Sequence, residues 1–229
     1  MAKKGSTRVL KVNKARAITG VDKTRRFIIR PSPGKHELNS AVSIGYILRD
    51  TLHLADNLKE IKYILHNKDV LVDSKVVTSY SFPVGLFDVI SIPKLNKYYK
   101  VIFLKNGSLS LKEINKDESK EKICKIVKKK KIKGNNFQLI TNDGRTIITS
   151  NSAYKTRSSV KLNLDENTIK EYLPLEVGRK VYIISGKHIG QTAIIEAISP
   201  GTLQKPWLLK LKDHDDEFET IEKNVIVIG

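Results

Sequence analysis

The segment from Arg30 to Ile92 limits the possible folds of this chain more than any other part of the sequence. It opens with Arg30-Pro31-Ser32-Pro33-Gly34, in which two prolines and a glycine keep the backbone out of a helix. Apolar residues then recur at the helical period, which predicts a first helix with a broad apolar face. These residues are Leu38, Ala41, Val42, Gly45, Ile47, Leu48, Leu52 and Leu54.

A second, short helix is predicted over Leu58 to His66. Asn57 is a suitable N-cap, and Glu60 stands three residues later, where it can close a capping box. Short β-rich runs follow, with a turn at Asp73-Ser74. The segment therefore predicts a compact unit of two helices and short antiparallel strands. Three lysines are expected to share one solvent face of this unit: Lys59, Lys62 and Lys75.

The positive charge is concentrated near the N-terminus. The chain has 42 Lys and Arg against 24 Asp and Glu, a net charge of +18. Residues 1–35 hold 11 basic residues and one acid (11 − 1 = +10), which leaves +8 for the other 194. A basic tail without apolar periodicity indicates an arm that binds a polyanion. A solubilising tail and a membrane tether are the alternatives, although a tether normally has a bulky apolar face.

Residues 1 to about 26 are expected to be disordered when free, because they cannot bury enough surface to offset their ordering entropy. Phe27-Ile28-Ile29 is the first expected extended segment.

We find neither the apolar core of a signal peptide nor a run of ~18 apolar residues, so a soluble, intracellular protein is expected. The single cysteine, Cys124, excludes an intrachain disulfide. It is either a thiol activated by neighbouring lysines or a small packing residue.

From Lys94 onward the sequence predicts short strands between turns. Asn106-Gly107 and Asn142-Asp143-Gly144 each favour a tight hairpin. The run Lys128-Lys129-Lys130-Lys131 lies between these hairpins and is either a solvated loop or a loop in contact with phosphates. Trp207 either stacks on bases or packs within the fold.

The last part of the chain predicts a small β-structure. Two β-rich runs flank the loop Ser185–Gly190, in which Gly186 and Gly190 permit a positive φ or a close backbone approach. Leu208–Leu211 and Val225–Ile228 are expected to complete the structure. An acidic patch is expected to face solvent or a basic protein neighbour. It consists of Asp213, Asp215, Asp216, Glu217 and Glu219.

Signatures of catalysis and of metal binding are missing from the sequence. There is no Walker phosphate loop, no GxGxxG after a strand and no Gly-x-Ser-x-Gly elbow. The five histidines are scattered, and one cysteine cannot build a zinc ribbon. We therefore predict no cofactor, no metal and no catalytic residue, although a catalytic triad assembled in space leaves no local signature.

The order of elements, with Asp73-Ser74-Lys75-Val76 in the turn, resembles the S-four-type RNA-binding domain. The loop Ser185–Gly190 resembles the KOW motif of small Src-homology-3-like barrels, with Ala193 where a third glycine is usual. Over about Arg30 to Gly229 the chain is similar to the small-subunit ribosomal protein family S-four-e of archaea and eukaryotes, and closer to the archaeal form in length. Lys68 and Ser74 stand where that family commonly has glycine. The motifs that carry the resemblance are Arg30-Pro31-x-Pro33-Gly34-x-His36-x-Leu38, Leu48-Arg49-Asp50 and Phe82-Pro83-Val84-Gly85-Leu86-x-Asp88-Val89-Ile90-Ser91-Ile92.

The resemblance implies an α+β, mostly β chain with four parts. These are a basic extension over 1–35, an S-four-type RNA-binding domain over 36–93, a central β domain over 94–174 and a KOW barrel over 175–229. It implies a non-enzymatic constituent of the small ribosomal subunit in the cytoplasm. Its partners would be ribosomal RNA and neighbouring ribosomal proteins, with no membrane and no small-molecule substrate.

Two other classes of protein share parts of this pattern. S-four-type domains also accompany RNA-modifying enzymes, but the nearest strings to the Gly-Arg-Leu-Asp segment of pseudouridine synthases, at Gly144-Arg145 and Gly178-Arg179, offer no aspartate. A transcription elongation factor would share the KOW barrel but would not explain the helical segment. For the ribosomal function, phosphate neutralisation by basic side chains is the expected mechanism. The candidate RNA-binding residues are Lys3, Lys4, Arg8, Lys11, Lys14, Arg16, Arg25, Arg26, Arg30, Lys35, His36, Lys59, Lys62, Lys75, Lys128, Lys129, Lys130, Lys131, Lys187 and His188.

Overall fold

The computed structural model describes residues 8–10, 27–38, 40–202, 204–213 and 216–229. Two helical segments precede most of the strands: α1 (Ile44–Tyr46), which continues as a π-helical turn over Ile47–Thr51, and α2 (Leu58–His66). None of the helices in these described ranges is long and apolar enough to cross a membrane. The α+β, mostly β class predicted from the sequence is confirmed.

The first nine strands lie in the N-terminal half of the chain. They are β1 (Arg8–Leu10), β2 (Phe27–Ile29), β3 (Val42–Ser43), β4 (Leu71–Val72), β5 (Lys75–Val76), β6 (Pro83–Val84), β7 (Val89–Ile92), β8 (Lys97–Phe103) and β9 (Leu109–Glu113). Strands β1 and β2 pair, as do β3 and β6, and the others form a five-stranded sheet in the order β5-β4-β7-β8-β9.

Ten further strands complete the chain. They are β10 (Glu121–Lys131), β11 (Phe137–Thr141), β12 (Thr146–Thr149), β13 (Ser159–Asn163), β14 (Thr168–Leu173), β15 (Lys180–Ile183), β16 (Thr192–Ser199), β17 (Leu208–Asp213), β18 (Asp216–Ile221) and β19 (Val225–Val227). They form two five-stranded antiparallel sheets, in the orders β12-β11-β10-β13-β14 and β18-β17-β16-β15-β19. Each sheet covers its own apolar cluster, one around Ile126 and Leu139 and one around Val181 and Leu209.

The chain divides into two compact units. The first comprises Met1–Ile102 and Ser108–Lys120, and the second comprises Phe103–Gly107 and Glu121–Gly229. The four parts expected from the sequence are finer than this division, and their boundaries stay a prediction.

The first helix is shorter than the apolar period suggested. Val42 and Ser43 are extended and pair with Val84 and Pro83, and Ser43 then caps α1 by accepting the N–H of Tyr46 at 3.3 Å. Every residue from 41 to 48 is buried. A segment that is apolar on all sides carries no reliable helical period, which is why the sequence pattern misplaced the start of the helix.

Several local predictions are confirmed. Helix α2 has the predicted bounds, and the hairpins β8–β9 and β11–β12 enclose the Asn-Gly and Asp-Gly turns. The predicted first extended segment is strand β2. The expectation of disorder over 1–26 is wrong for Arg8–Leu10, which pairs with β2. The rest of that segment lies outside the described residues.

Candidate nucleic-acid interface

Helix α2 buries one side and presents basic residues on the other. The side chain of Asn57 accepts the N–H of Glu60 at 3.0 Å, so the N-cap is confirmed. The capping box closes one residue early, because Glu60 accepts the N–H of Asp56 at 2.7 Å. Ile61 and Leu65 are fully buried. On the opposite side lies what we call the α2 face, formed by the exposed residues Lys59, Lys62, Tyr63 and His66.

Tyr63 was missed by the sequence analysis. The residue is 70% exposed, the largest exposure among the large hydrophobic residues that the structure describes. An exposed ring beside lysines can stack on an unpaired base. Its position four residues after Lys59 was the available signal, because residues four apart lie on one side of a helix. The expectation that Lys75 shares this face stays a prediction; it is exposed in strand β5.

Lys68 ends helix α2 in a left-handed conformation, with φ of 60°. Its N–H donates to Leu65 O at 3.1 Å, and the N–H of Asp69 donates to Ile64 O at 3.4 Å. This pair of bonds is the Schellman arrangement, in which the left-handed position is usually glycine. Ser74 also has a positive φ, of 61°, next to Asp73 in the turn between β4 and β5. Both departures from the expected glycines therefore fall at left-handed positions.

Lys35 and His36 are directed into the protein. The ammonium of Lys35 lies 2.5 Å from Asp73 Oδ2 and 3.3 Å from Asp88 Oδ2, and His36 Nε2 lies 2.9 Å from the same Asp88 oxygen. Both carboxylates are almost completely buried. We call these four residues the ion cluster. Lys35 and His36 were candidates for RNA contact, and in this structure the Lys35 ammonium and His36 Nε2 face protein carboxylates.

The ion cluster explains two of the sequence motifs in structural terms. Asp88 also accepts the N–H of Gly85 at 3.0 Å, and Asp73 accepts the N–H of Val89 at 2.9 Å. A Cβ at Gly85 would stand 2.5 Å from the His36 ring, so no larger residue fits there. The motif that begins at Arg30 and the motif that begins at Phe82 are thus packed against each other.

The lysine run is the end of the long strand β10, not a loop. Lys129 pairs with Leu139, which in turn pairs with Ile147, and both of these apolar residues are buried. Because side chains alternate along a strand, Lys129 and Lys131 share that inner face, whereas Lys128 and Lys130 point to the opposite side. The ammonium of Lys129 lies 4.4 Å from the centroid of the Phe137 ring. RNA contact by this run stays a prediction.

The loop Ser185–Gly190 has the backbone that its glycines predicted. Gly186 and Gly190 have φ of 101° and 80°, and a Cβ at Gly190 would stand 2.6 Å from Leu104 O. His188 stacks on Phe218 with ring centroids 3.9 Å apart, and its Nδ1 lies 3.1 Å from Gln191 Oε1. Lys187 is exposed. Of the two candidates in this loop, Lys187 is therefore the one that faces solvent.

The second unit also holds buried charges. Burial opposes ionisation of Asp143, but Lys122 at 2.9 Å, Thr141 and Arg145 outweigh it and hold the pKa of the carboxyl well below its usual range. Burial lowers the pKa of Lys125 to about 8, partly offset by Glu222. Its ammonium donates to the backbone oxygens of Glu222 and Val225. Cys124 is fully buried in the apolar cluster around Ile126 and Leu139, which fits the packing role.

The remaining candidates lie at the start of the chain and in the acidic patch. Arg8 and Arg30 are exposed. The others in the basic extension lie outside the described residues: Lys3, Lys4, Lys11, Lys14, Arg16, Arg25 and Arg26. The acidic patch is interrupted by opposite charge, since Lys210 Nζ lies 2.7 Å from Glu217. Asp215 also lies outside the described residues.

Comparisons with known proteins point to one family. A sequence model described as ribosomal family S4e matches residues 95–169. The chain is 41% identical over 202 residues to small ribosomal subunit protein eS4 of Nanoarchaeum equitans, covering 88% of this chain and 86% of that protein. It is 37% identical to the eS4 protein of Methanocaldococcus jannaschii, covering 100% and 97%. The crystal structure of 30S ribosomal protein S4e from Thermoplasma acidophilum matches with a TM-score of 0.72 and 33% identity, over 83% of this chain and 95% of that one.

Proposed function

Since the chain belongs to ribosomal family S4e, we propose that it is a structural, non-enzymatic constituent of the small ribosomal subunit, where it binds ribosomal RNA through solvent-facing basic side chains. A place in cytoplasmic ribosomes follows from that role. The observation that carries the proposed RNA surface is the α2 face, because its lysines face solvent opposite a buried apolar side. Lysines placed in this way can neutralise phosphates without giving up an ion pair inside the protein.

The enzymatic alternative gains nothing from the site geometry. One of the two strings nearest to the synthase segment, Gly144-Arg145, lies in the β11–β12 turn. There Arg145 Nε is bound to the buried carboxylate of Asp143 at 3.1 Å. Asp143 is also paired with the buried Lys122, so its charge is neutralised by side chains inside the second unit.

The ribosomal role is tested by sedimentation. The full-length protein should co-sediment with small ribosomal subunits after a moderate salt wash. The charge reversals Lys59→Glu and Lys62→Glu together should weaken its binding to small-subunit RNA. The matched control is Lys112→Glu with Lys116→Glu, two exposed lysines of the same unit outside α2. Equal affinity of the two double variants would remove the α2 face from the RNA surface, whereas loss of co-sedimentation in the unaltered protein would overturn the role itself.

The basic extension is proposed as an RNA-binding arm. Its nine basic residues between positions 1 and 26 oppose a single acid, Asp22. Each phosphate contact makes log affinity fall with log salt by roughly 0.7 to 0.9. If about six of the nine meet phosphates, deletion of residues 1–26 should flatten the salt dependence by roughly four to five. An unchanged slope would mean that the arm does not meet RNA.

A further inference from the structure

A groove of about 650 Å³ opens on the second unit. It is lined by the loop 153–158, by the end of the sheet around β14 and by the residue that precedes β17. This volume lies within the usual range of ligand sites. We call it the aromatic groove, after the residues on which its chemistry depends: Lys129, Tyr154, Lys155, Arg157, Tyr172 and Trp207.

The charge of the aromatic groove suits an anion. Three of its lining residues are cationic, and one carboxylate, Glu176, opposes them. Lys155 is exposed, and the side chain of Arg157 is 39% exposed. Lys131, which shares a face of strand β10 with Lys129, adds a further positive charge on that side of the sheet. A polyanion is therefore favoured as the occupant over a cationic or a neutral ligand.

The rings of the groove are held in place before any ligand arrives. Tyr154 and Tyr172 meet edge to face, with centroids 5.2 Å apart and planes at 77°. The hydroxyl of Tyr172 donates to Ser158 Oγ at 3.0 Å and accepts the N–H of Lys155 at 3.2 Å. Both tyrosines and Trp207 are half-buried, so each is fixed by packing and keeps part of its ring at the surface. Preorganised rings are a suitable platform for a base, because every base has a π-face.

Arg157 adds a strained residue at the same place. Its φ is 73°, a left-handed conformation that costs energy in a residue with a side chain. Its N–H donates to Ile126 O at 2.9 Å, and its Nε lies 3.0 Å from Glu222 Oε2. The guanidinium stands 4.6 Å from the centroid of the Trp207 ring. Strained residues concentrate at binding sites, and a guanidinium plane on an indole is itself a surface on which bases stack.

We infer that the aromatic groove binds an unpaired nucleotide of single-stranded RNA, with its base against Tyr154 and the Arg157–Trp207 pair and its phosphates near Lys155 and Lys129. This inference rests on the proposed function and extends it, because it adds a site for unpaired RNA to the α2 face. Positive charge beside fixed rings is the combination that binds single strands with little sequence preference.

Trp207 provides a direct readout, since it is the single tryptophan of the chain. Full-length protein is titrated with a short oligouridylate at low salt, and tryptophan fluorescence is recorded together with the anisotropy of a dye on the RNA. We expect Trp207 fluorescence to change along the same isotherm as RNA binding. Poly-glutamate is the charge-matched probe without bases. An equal response to poly-glutamate would mean that the groove recognises charge alone and would overturn the inference.

Two substitutions at one position separate stacking from packing. Tyr154→Leu preserves apolar volume but removes the ring, so oligouridylate binding at the groove should weaken roughly 5- to 150-fold, as expected for one base–aromatic stack. Tyr154→Phe keeps the ring and should bind like the unaltered protein. If the leucine and phenylalanine variants bind equally well, Tyr154 only packs and the inference fails.

Charge reversal completes the test. Lys155→Glu should reduce the Trp207 response, whereas Lys116→Glu, at an exposed lysine of the first unit, should leave it unchanged. RNA binding with a silent Trp207 would overturn the aromatic groove and leave the ribosomal role intact. Failure of the unaltered protein to bind small subunits would instead remove the proposed function, so the two failures are distinguishable.

Discussion

The ion cluster and the α2 face both contain lysines of the first unit, and both were RNA candidates in the sequence. Lys35 lies between two buried carboxylates, whereas Lys59 extends into solvent. A buried charge that loses its partner is strongly destabilising, but an exposed charge contributes little to stability. A basic residue can therefore stabilise the fold or bind a partner, and its burial determines which of the two it does.

The largest effect is expected from Lys35→Met. It leaves the carboxylates of Asp73 and Asp88 buried without their shared lysine, so the free energy of unfolding should fall by about 3–5 kcal/mol. The measurement is denaturant unfolding, combined with hydrogen exchange at the N–H groups of Gly85 and Val89, which donate to these carboxylates. Lys59→Met is the matched control. If both variants unfold alike, the ion cluster does not stabilise the fold.

The second effect concerns Lys125, a buried lysine with a pKa lowered to about 8 from 10.5, chiefly by burial. Between these two values the unfolded chain holds its proton and the folded chain releases it. Stability should therefore rise with pH in this window, by up to about 1.4 kcal/mol per pH unit from this group. Unfolding is measured at several pH values for the unaltered protein and for Lys125→Met. The difference in unfolding free energy between the unaltered protein and Lys125→Met should rise with pH in this window. A difference that does not change with pH would show that Lys125 has the pKa of an ordinary lysine.

Lys68→Gly is expected to stabilise the protein, unlike Lys35→Met, and by a smaller amount. Lys68 is left-handed with φ of 60° at the end of α2, and glycine removes that strain. The free energy of unfolding should increase by about 1 kcal/mol. The same substitution at the exposed Lys62, in the middle of the helix, should decrease it by about 1 kcal/mol. Two changes of the same sign would mean that backbone conformation does not control the effect.

The smallest effect on stability is expected on the α2 face. Lys59→Glu with Lys62→Glu should change the free energy of unfolding by less than about 0.5 kcal/mol, because both side chains are exposed. A thermal melt beside the RNA titration checks this. A loss of several kcal/mol would mean that these lysines stabilise the fold as Lys35 does, and the contrast between the α2 face and the ion cluster would fail.

Features that depend on near neighbours along the chain were predictable from the sequence. The cap at Asn57, the bounds of α2 and the two Gly-containing hairpins follow from interactions across two to four residues. The family resemblance followed as well, because it rests on short motifs, and the comparisons confirm it.

The surroundings of each charged or apolar side chain depend on tertiary packing and were not predictable from the sequence. The lysine run looked uniform in the sequence, but pairing with β11 sends its side chains to two sides of a sheet. Lys35 meets Asp73 and Asp88 from 38 and 53 positions away in the sequence, and Arg157 meets Trp207 from 50. Contacts at such separations leave no local pattern, because only the packing of distant strands brings the partners together. Burial then sets the free energy of each charge, and with it the difference between a residue that holds the fold and one that is open to RNA.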